Sequence, residues 1–94
     1  MNKDEAKKII TSELLQYRAK PYSELVRMID CEPVTKEHHG PSGQWYQIEV
    51  QAFWDDKPNE NIRVIGCIDD GGWRAYCPLN SDFIKSPSDQ FVGE

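Results

Sequence analysis

Ninety-four residues, 38% of them hydrophobic and 11% aromatic, suffice for one domain with one core and are too few for two. A net charge of -5 opposes general affinity for nucleic-acid phosphates. A mean hydropathy of -0.70, with no long apolar run, opposes a membrane-spanning helix.

The charged start, residues 1–8, leads into Ile9-Ile10-Thr11-Ser12-Glu13 and not into the unbroken apolar stretch of a signal peptide, so the expected location is the cytoplasm. Asn2 or Asp4 can cap a first helix, with acidic residues in its first turn. Ala6, Ile10, Leu14 and Tyr17 recur at helical spacing beside Ile9, while Lys7, Lys8, Glu13 and Arg18 are assigned to the solvent side. Pro21 ends this helix near Ala19 and opens a second through Ile29, in which Tyr22, Leu25, Val26 and Ile29 share a face.

From Cys31 onward the pattern becomes extended. Residues 32–39 carry Pro33 and a single aliphatic side chain, Val34, which marks an edge strand. Gly40-Pro41-Ser42-Gly43 is a turn. Between Gln44 and Asp55 the even positions Tyr46, Ile48, Val50, Ala52 and Trp54 are apolar, the period of a strand with one buried face. This is the central strand. A polar loop leads to a third strand, Ile62 to Asp69, with Ile62, Val64 and Ile68 on one face and Ile65 and Cys67 on the other. Gly71-Gly72 reads as a two-residue hairpin turn into a fourth strand, Trp73 to Leu79. That register sets Asp69 opposite Arg74, Cys67 opposite Tyr76 and Ile68 opposite Ala75. After Pro78 a short extended piece can carry Phe83 or Ile84 into the core, and Phe91 can tether the tail. The predicted fold is α+β, a single domain over 1–94: an N-terminal helix and a short second helix packed on one face of a four-stranded antiparallel β-meander.

Glycine-rich phosphate loops, nucleophile elbows and paired-cysteine or His-Glu-x-x-His motifs are missing, so a non-enzymatic role leads over an enzymatic one and no cofactor is expected. Neighbouring strand positions His38 and His39 point to opposite faces, which opposes a shared metal. Cys31, Cys67 and Cys77 are an odd, sparse set, read as reduced thiols serving as small apolar side chains. Asp55-Asp56 and Asp69-Asp70 flank turns, where aspartate serves turn geometry.

The odd-numbered face of the central strand carries Trp45, Gln47, Glu49, Gln51 and Phe53, and the neighbouring strands add Arg63, Arg74 and Tyr76. Aromatics, amides and arginines on a face that the helices leave open have the composition of a protein-binding surface. Residues 1–27 hold six basic and four acidic side chains, residues 28–94 five and twelve, so a charged partner of the β part is expected to be basic. The competing reading is a small-molecule binder or enzyme with a pocket between helices and sheet, lined by Tyr17, Tyr22, Tyr46 and Trp54; a third is self-association through the open face or edge. In size, acidity and element order the chain resembles the small immunity proteins that neutralise toxins, and many bacterial families of similar plan. The resemblance implies a protein-binding role and assigns no residues.

Overall fold

The computed structural model describes residues 2–71 and 79–94. The elements are α1 (Lys3–Arg18), α2 (Tyr22–Ile29), β1 (Val34–His39), β2 (Trp45–Trp54), β3 (Ile62–Asp69) and β4 (Leu79–Lys85). The strands form one antiparallel sheet in the order β1-β2-β3-β4, and both helices pack on one of its faces, the α+β plan expected from the sequence.

The first helix starts where the sequence allows it to be capped: the Asn2 side chain accepts a hydrogen bond from the Glu5 amide at 3.1 Å, and Asp4 and Glu5 sit at the positive end of the helix dipole. Ala6, Ile10, Leu14 and Tyr17 form its buried stripe. Pro21 stands at the N-cap of α2, which buries Leu25 and leans Tyr22, Val26 and Ile29 on the core. The sheet contributes alternating residues to that core: Tyr46, Ile48, Val50 and Ala52 from β2, Ile62, Val64 and Ile68 from β3, and Phe83 from β4. Ile10 and Leu14 of the helix lie directly over Gly66, where a β-carbon would come 2.9 Å from Ile10 Cδ1 and 3.0 Å from Leu14 Cδ2. A side chain there would lift α1 off β3.

The β1–β2 connection is set by Pro41 and Gly43. The Gly43 amide donates to the Gly40 carbonyl at 2.9 Å across a turn with Pro41 in its second position, and Gly43 takes a φ of 87°, a turn-plus-glycine-bulge hairpin. Glu5 locks α1 to this turn. Its carboxylate accepts from the Ser42 amide (3.1 Å), the Ser42 hydroxyl (2.8 Å) and the buried Tyr46 hydroxyl (2.8 Å). Hydrogen bonds from Ser42 and then Tyr46 hold Glu5 below its ordinary carboxylate pKa.

Three expectations are corrected. The partner of β3 is Leu79–Lys85, in the register Ile68↔Leu79, Cys67↔Asn80 and Val64↔Phe83. The expected strand at Trp73 to Leu79 lies, apart from Leu79, outside the described residues. The pairing segment is the one whose alternate residues Leu79, Phe83 and Lys85 share the helix side with Ile68, Val64 and Ile62. Next, Glu13 is buried, because its carboxylate reaches Lys36 Nζ of β1 at 2.7 Å; Arg18 is half-buried, its guanidinium 4.1 Å from the Phe91 ring centre and hydrogen-bonded to Glu94. Finally, Cys67 is disulfide-bonded and Cys31 is exposed, its thiol donating to the Arg27 carbonyl at 3.1 Å, so neither is a reduced core thiol. Cys77 lies outside the described residues.

After β4 the tail folds back toward the helix side. Lys85 and Phe91 form a bridge, the Val92 amide donates to the Ile84 carbonyl at 2.9 Å, and Phe91 stands edge-on to Phe83 at 5.9 Å. Asp89 accepts from the Tyr22 amide at 2.6 Å. Lys85 is the buried pin of this arrangement: its ammonium donates to the Lys20 carbonyl (2.6 Å) and the Arg18 carbonyl (3.3 Å), where a cation best complements the end of α1.

Candidate functional site: the open sheet face

Antiparallel register decides which side chains share the face away from the helices. β2 contributes Trp45, Gln47, Glu49, Gln51 and Phe53; across them β1 places His39, Glu37 and Thr35, and β3 places Asp69, Cys67, Ile65 and Arg63. β4 adds Asn80, Asp82 and Ile84. Phe53, at 44% exposure, is the large apolar side chain that stands out from this face. Gln47 and Glu49 are exposed, and Gln51 is half-buried. The carboxylates of Glu37, Glu49, Asp69 and Asp82 share the face with one described arginine, Arg63, so it is acidic.

The expected binding residues separate on inspection. Gln47, Glu49, Gln51 and Phe53 form a continuous stripe down β2. Trp45 lies at the end of that stripe, but its indole packs over Gly71, where a β-carbon would collide with the ring; the φ of 77° at Gly71 adds a second reason for glycine there. Arg63 lies opposite Phe53 and is committed within the molecule. Its Nε and Nη2 each reach Asp55 at 2.9 Å and its Nη1 pairs with Asp82, and the Asp55 hydrogen bond leads the interactions that hold it protonated. Arg63 therefore frames the face more than it offers a free charge. Arg74 and Tyr76 lie outside the described residues.

The C-terminal path, which composition leaves open, matters here. The tail packs on Phe83, Lys85, Arg18 and Tyr22, which lie on the helix side of the sheet or on the helices themselves, and bonds along the outer edge of β4 at the Ile84 carbonyl.

The aromatic set proposed for an internal pocket is structural. Tyr17 and Tyr46 are buried in the core and Tyr22 and Trp54 pack against it; burial, followed by Glu5, pushes the Tyr46 phenol up to about 12. A groove of about 270 Å³ does run between α1 and the helix-side rim of β1, lined by Glu5, Lys8, Ile9, Ser12, Glu13, His38 and Pro41. Its carboxylates are occupied, Glu5 by Ser42 and Tyr46 and Glu13 by Lys36. His38 lines this groove while His39 faces the other side, and among the described residues no three His, Cys, Asp or Glu side chains gather as a metal site.

Sequence reasoning missed the contacts of two buried charged residues, Glu13 with Lys36 and Lys85 with the Arg18 and Lys20 carbonyls, because each joins residues far apart in the chain. No helix among the described residues is long and apolar enough to cross a membrane. Comparison with known proteins gives no match to a family model, a curated protein or a solved structure.

Proposed function

We propose that this chain is a non-enzymatic protein-binding module that grips a basic partner through its open sheet face. One observation carries the reading: among the described residues, helices and tail lie toward one side of the sheet, while Glu37, Glu49, Asp69, Asp82 and the exposed Phe53 share the other. An exposed apolar residue at one end of an acidic stripe suits a partner that presents lysines or arginines beside an apolar contact. The resemblance to small immunity proteins in size, acidity and element order makes a toxin one candidate class of partner. A cytoplasmic, bacterial setting belongs to the same proposal, although the disulfide at Cys67 favours an oxidising compartment.

The test is affinity capture followed by calorimetric titration of the captured protein. Phe53→Ala and Glu49→Lys should each lose that partner while keeping the melting temperature close to wild type, because neither side chain is buried. Lys7→Glu on the outer face of α1 serves as the control and should bind normally. Undiminished binding by both face variants would end the reading.

A further inference from the structure

The two edges of the sheet are treated differently. The outer edge of β4 receives the tail, whose Val92 amide bonds to the Ile84 carbonyl. The outer edge of β1 receives nothing among the described residues, and its strand is exposed at every position but the half-buried His38.

Which of its backbone groups are free follows from the hairpin. The Gly40 amide donates to the Gln44 carbonyl at 2.9 Å, so that pair is a hydrogen-bonded one. Bonded and non-bonded pairs alternate along an antiparallel ladder, so His38, Lys36 and Val34 bond inward to Tyr46, Ile48 and Val50. The N–H and C=O groups of Thr35, Glu37 and His39 therefore point outward. These are also the β1 residues whose side chains belong to the open face.

A second copy of the chain is a poor occupant. Two-fold pairing of β1 with itself requires facing residues on the same side of the sheet, so the symmetry axis passes through a self-facing residue. Centred on the strand, that residue is Lys36 or Glu37, and either choice sets like charges opposite each other. Charge complementarity favours a different partner. An incoming residue opposite Glu37 meets a carboxylate, and a long cation opposite Thr35 can reach across it toward Glu49, which pairs with Thr35 in the ladder.

We propose that the outer edge of β1 takes up an extended segment of a basic protein as a fifth antiparallel strand, bonded to the backbone of Thr35, Glu37 and His39, with lysine or arginine at alternate positions over the open face. This rests on the binding-face reading and extends it from side chains to the backbone.

The probe is the capped peptide Lys-Thr-Lys-Val-Lys-Thr, titrated into the isotope-labelled full chain and followed by amide shifts and hydrogen exchange. The expected result is a shift and exchange protection at the Thr35, Glu37 and His39 amides, and none with the Glu-Thr-Glu-Val-Glu-Thr peptide. Thr35→Pro removes one outward N–H and no bond to β2, so the sheet should persist while peptide affinity falls about tenfold. Should that variant not fold, the same peptide N-methylated at its three lysine amides, whose N–H groups face β1 in this register, tests the wild-type chain and should not bind.

The proposal is overturned if the peptide fails to bind, if it binds without protecting those amides, or if the N-methylated peptide binds equally. A dimer in sedimentation that Thr35→Pro dissolves also overturns it, by giving the edge to a second copy. If Thr35→Pro still captures the partner as wild type does, the edge proposal falls and the face reading stands. If capture survives Phe53→Ala and Glu49→Lys but not Thr35→Pro, the face reading falls and the edge stands.

Discussion

Replacing Lys85 by methionine isolates the contact that ties β4 to the end of α1. The side chain is 7% exposed, and its ammonium donates to the Lys20 carbonyl at 2.6 Å and the Arg18 carbonyl at 3.3 Å; Asp89, at 3.6 Å and about half-exposed, adds little. Methionine keeps most of the stem's volume and removes the charge. A hydrogen bond from a charged donor contributes about 1.5–3 kcal/mol, and a cation at a partly buried helix C-terminus up to about 2 kcal/mol. Two effects oppose these values: the ammonium no longer has to be desolvated, and water can reach the freed carbonyls in part. The net cost should be about 2 kcal/mol, which for a domain of this size lowers the melting temperature by about 10 °C. Chemical denaturation should show a lower midpoint with an unchanged slope. An unchanged or raised midpoint would refute the reasoning, by showing that desolvating the ammonium costs as much as its hydrogen bonds return.

Other consequences are open to equally direct measurement. The Tyr46 phenol is raised from an ordinary value of 10.0 to about 12, first by burial and then by Glu5, and Tyr17 is raised by burial and Glu13. A raised acid keeps its proton in the folded state, so this stability is fully present below pH 10 and is lost as pH rises toward 12; denaturation midpoints across that window should fall, and less steeply in Tyr46→Phe. Gly66→Val should cost about 1–3 kcal/mol, because the added methyls meet Ile10 and Leu14 of α1. Alkylation of the native chain without reductant should label Cys31 and spare Cys67; labelling of Cys67 would remove the disulfide and restore the cytoplasmic expectation.

The legible parts of this fold are those governed by local periodicity. Five apolar residues at a spacing of two in β2, and the Ala6-Ile10-Leu14-Tyr17 stripe of α1, declare their buried faces because burial repeats with the geometry of the element. The odd face of β2 was readable for the same reason. What failed were decisions made by distant partners. Glu13 is turned inward by Lys36 on an edge strand, a pairing that no spacing encodes. Gly71-Gly72 carries a strong hairpin signal, yet β3 takes Leu79–Lys85 as its neighbour, a strand whose inward residues include a serine and a lysine. Lys85 is tolerated there only because the open carbonyls at the end of α1 meet it. Arg63 illustrates the limit for the site: its position on the face follows from register, but its commitment to Asp55 and Asp82 comes from a loop and from β4.

The central claim, that the face carrying Gln47, Glu49 and Phe53 is the working surface, is tested most directly by hydroxyl-radical footprinting of the free chain and of its complex with the captured partner. In the free chain the Phe53 ring should oxidise readily and Tyr46 should be spared. In the complex Phe53 should become protected while Leu15, exposed on the outer side of α1, keeps its rate. Protection confined to Leu15 and the helices, with Phe53 oxidised as before, would contradict the account and move the binding surface to the other side of the molecule.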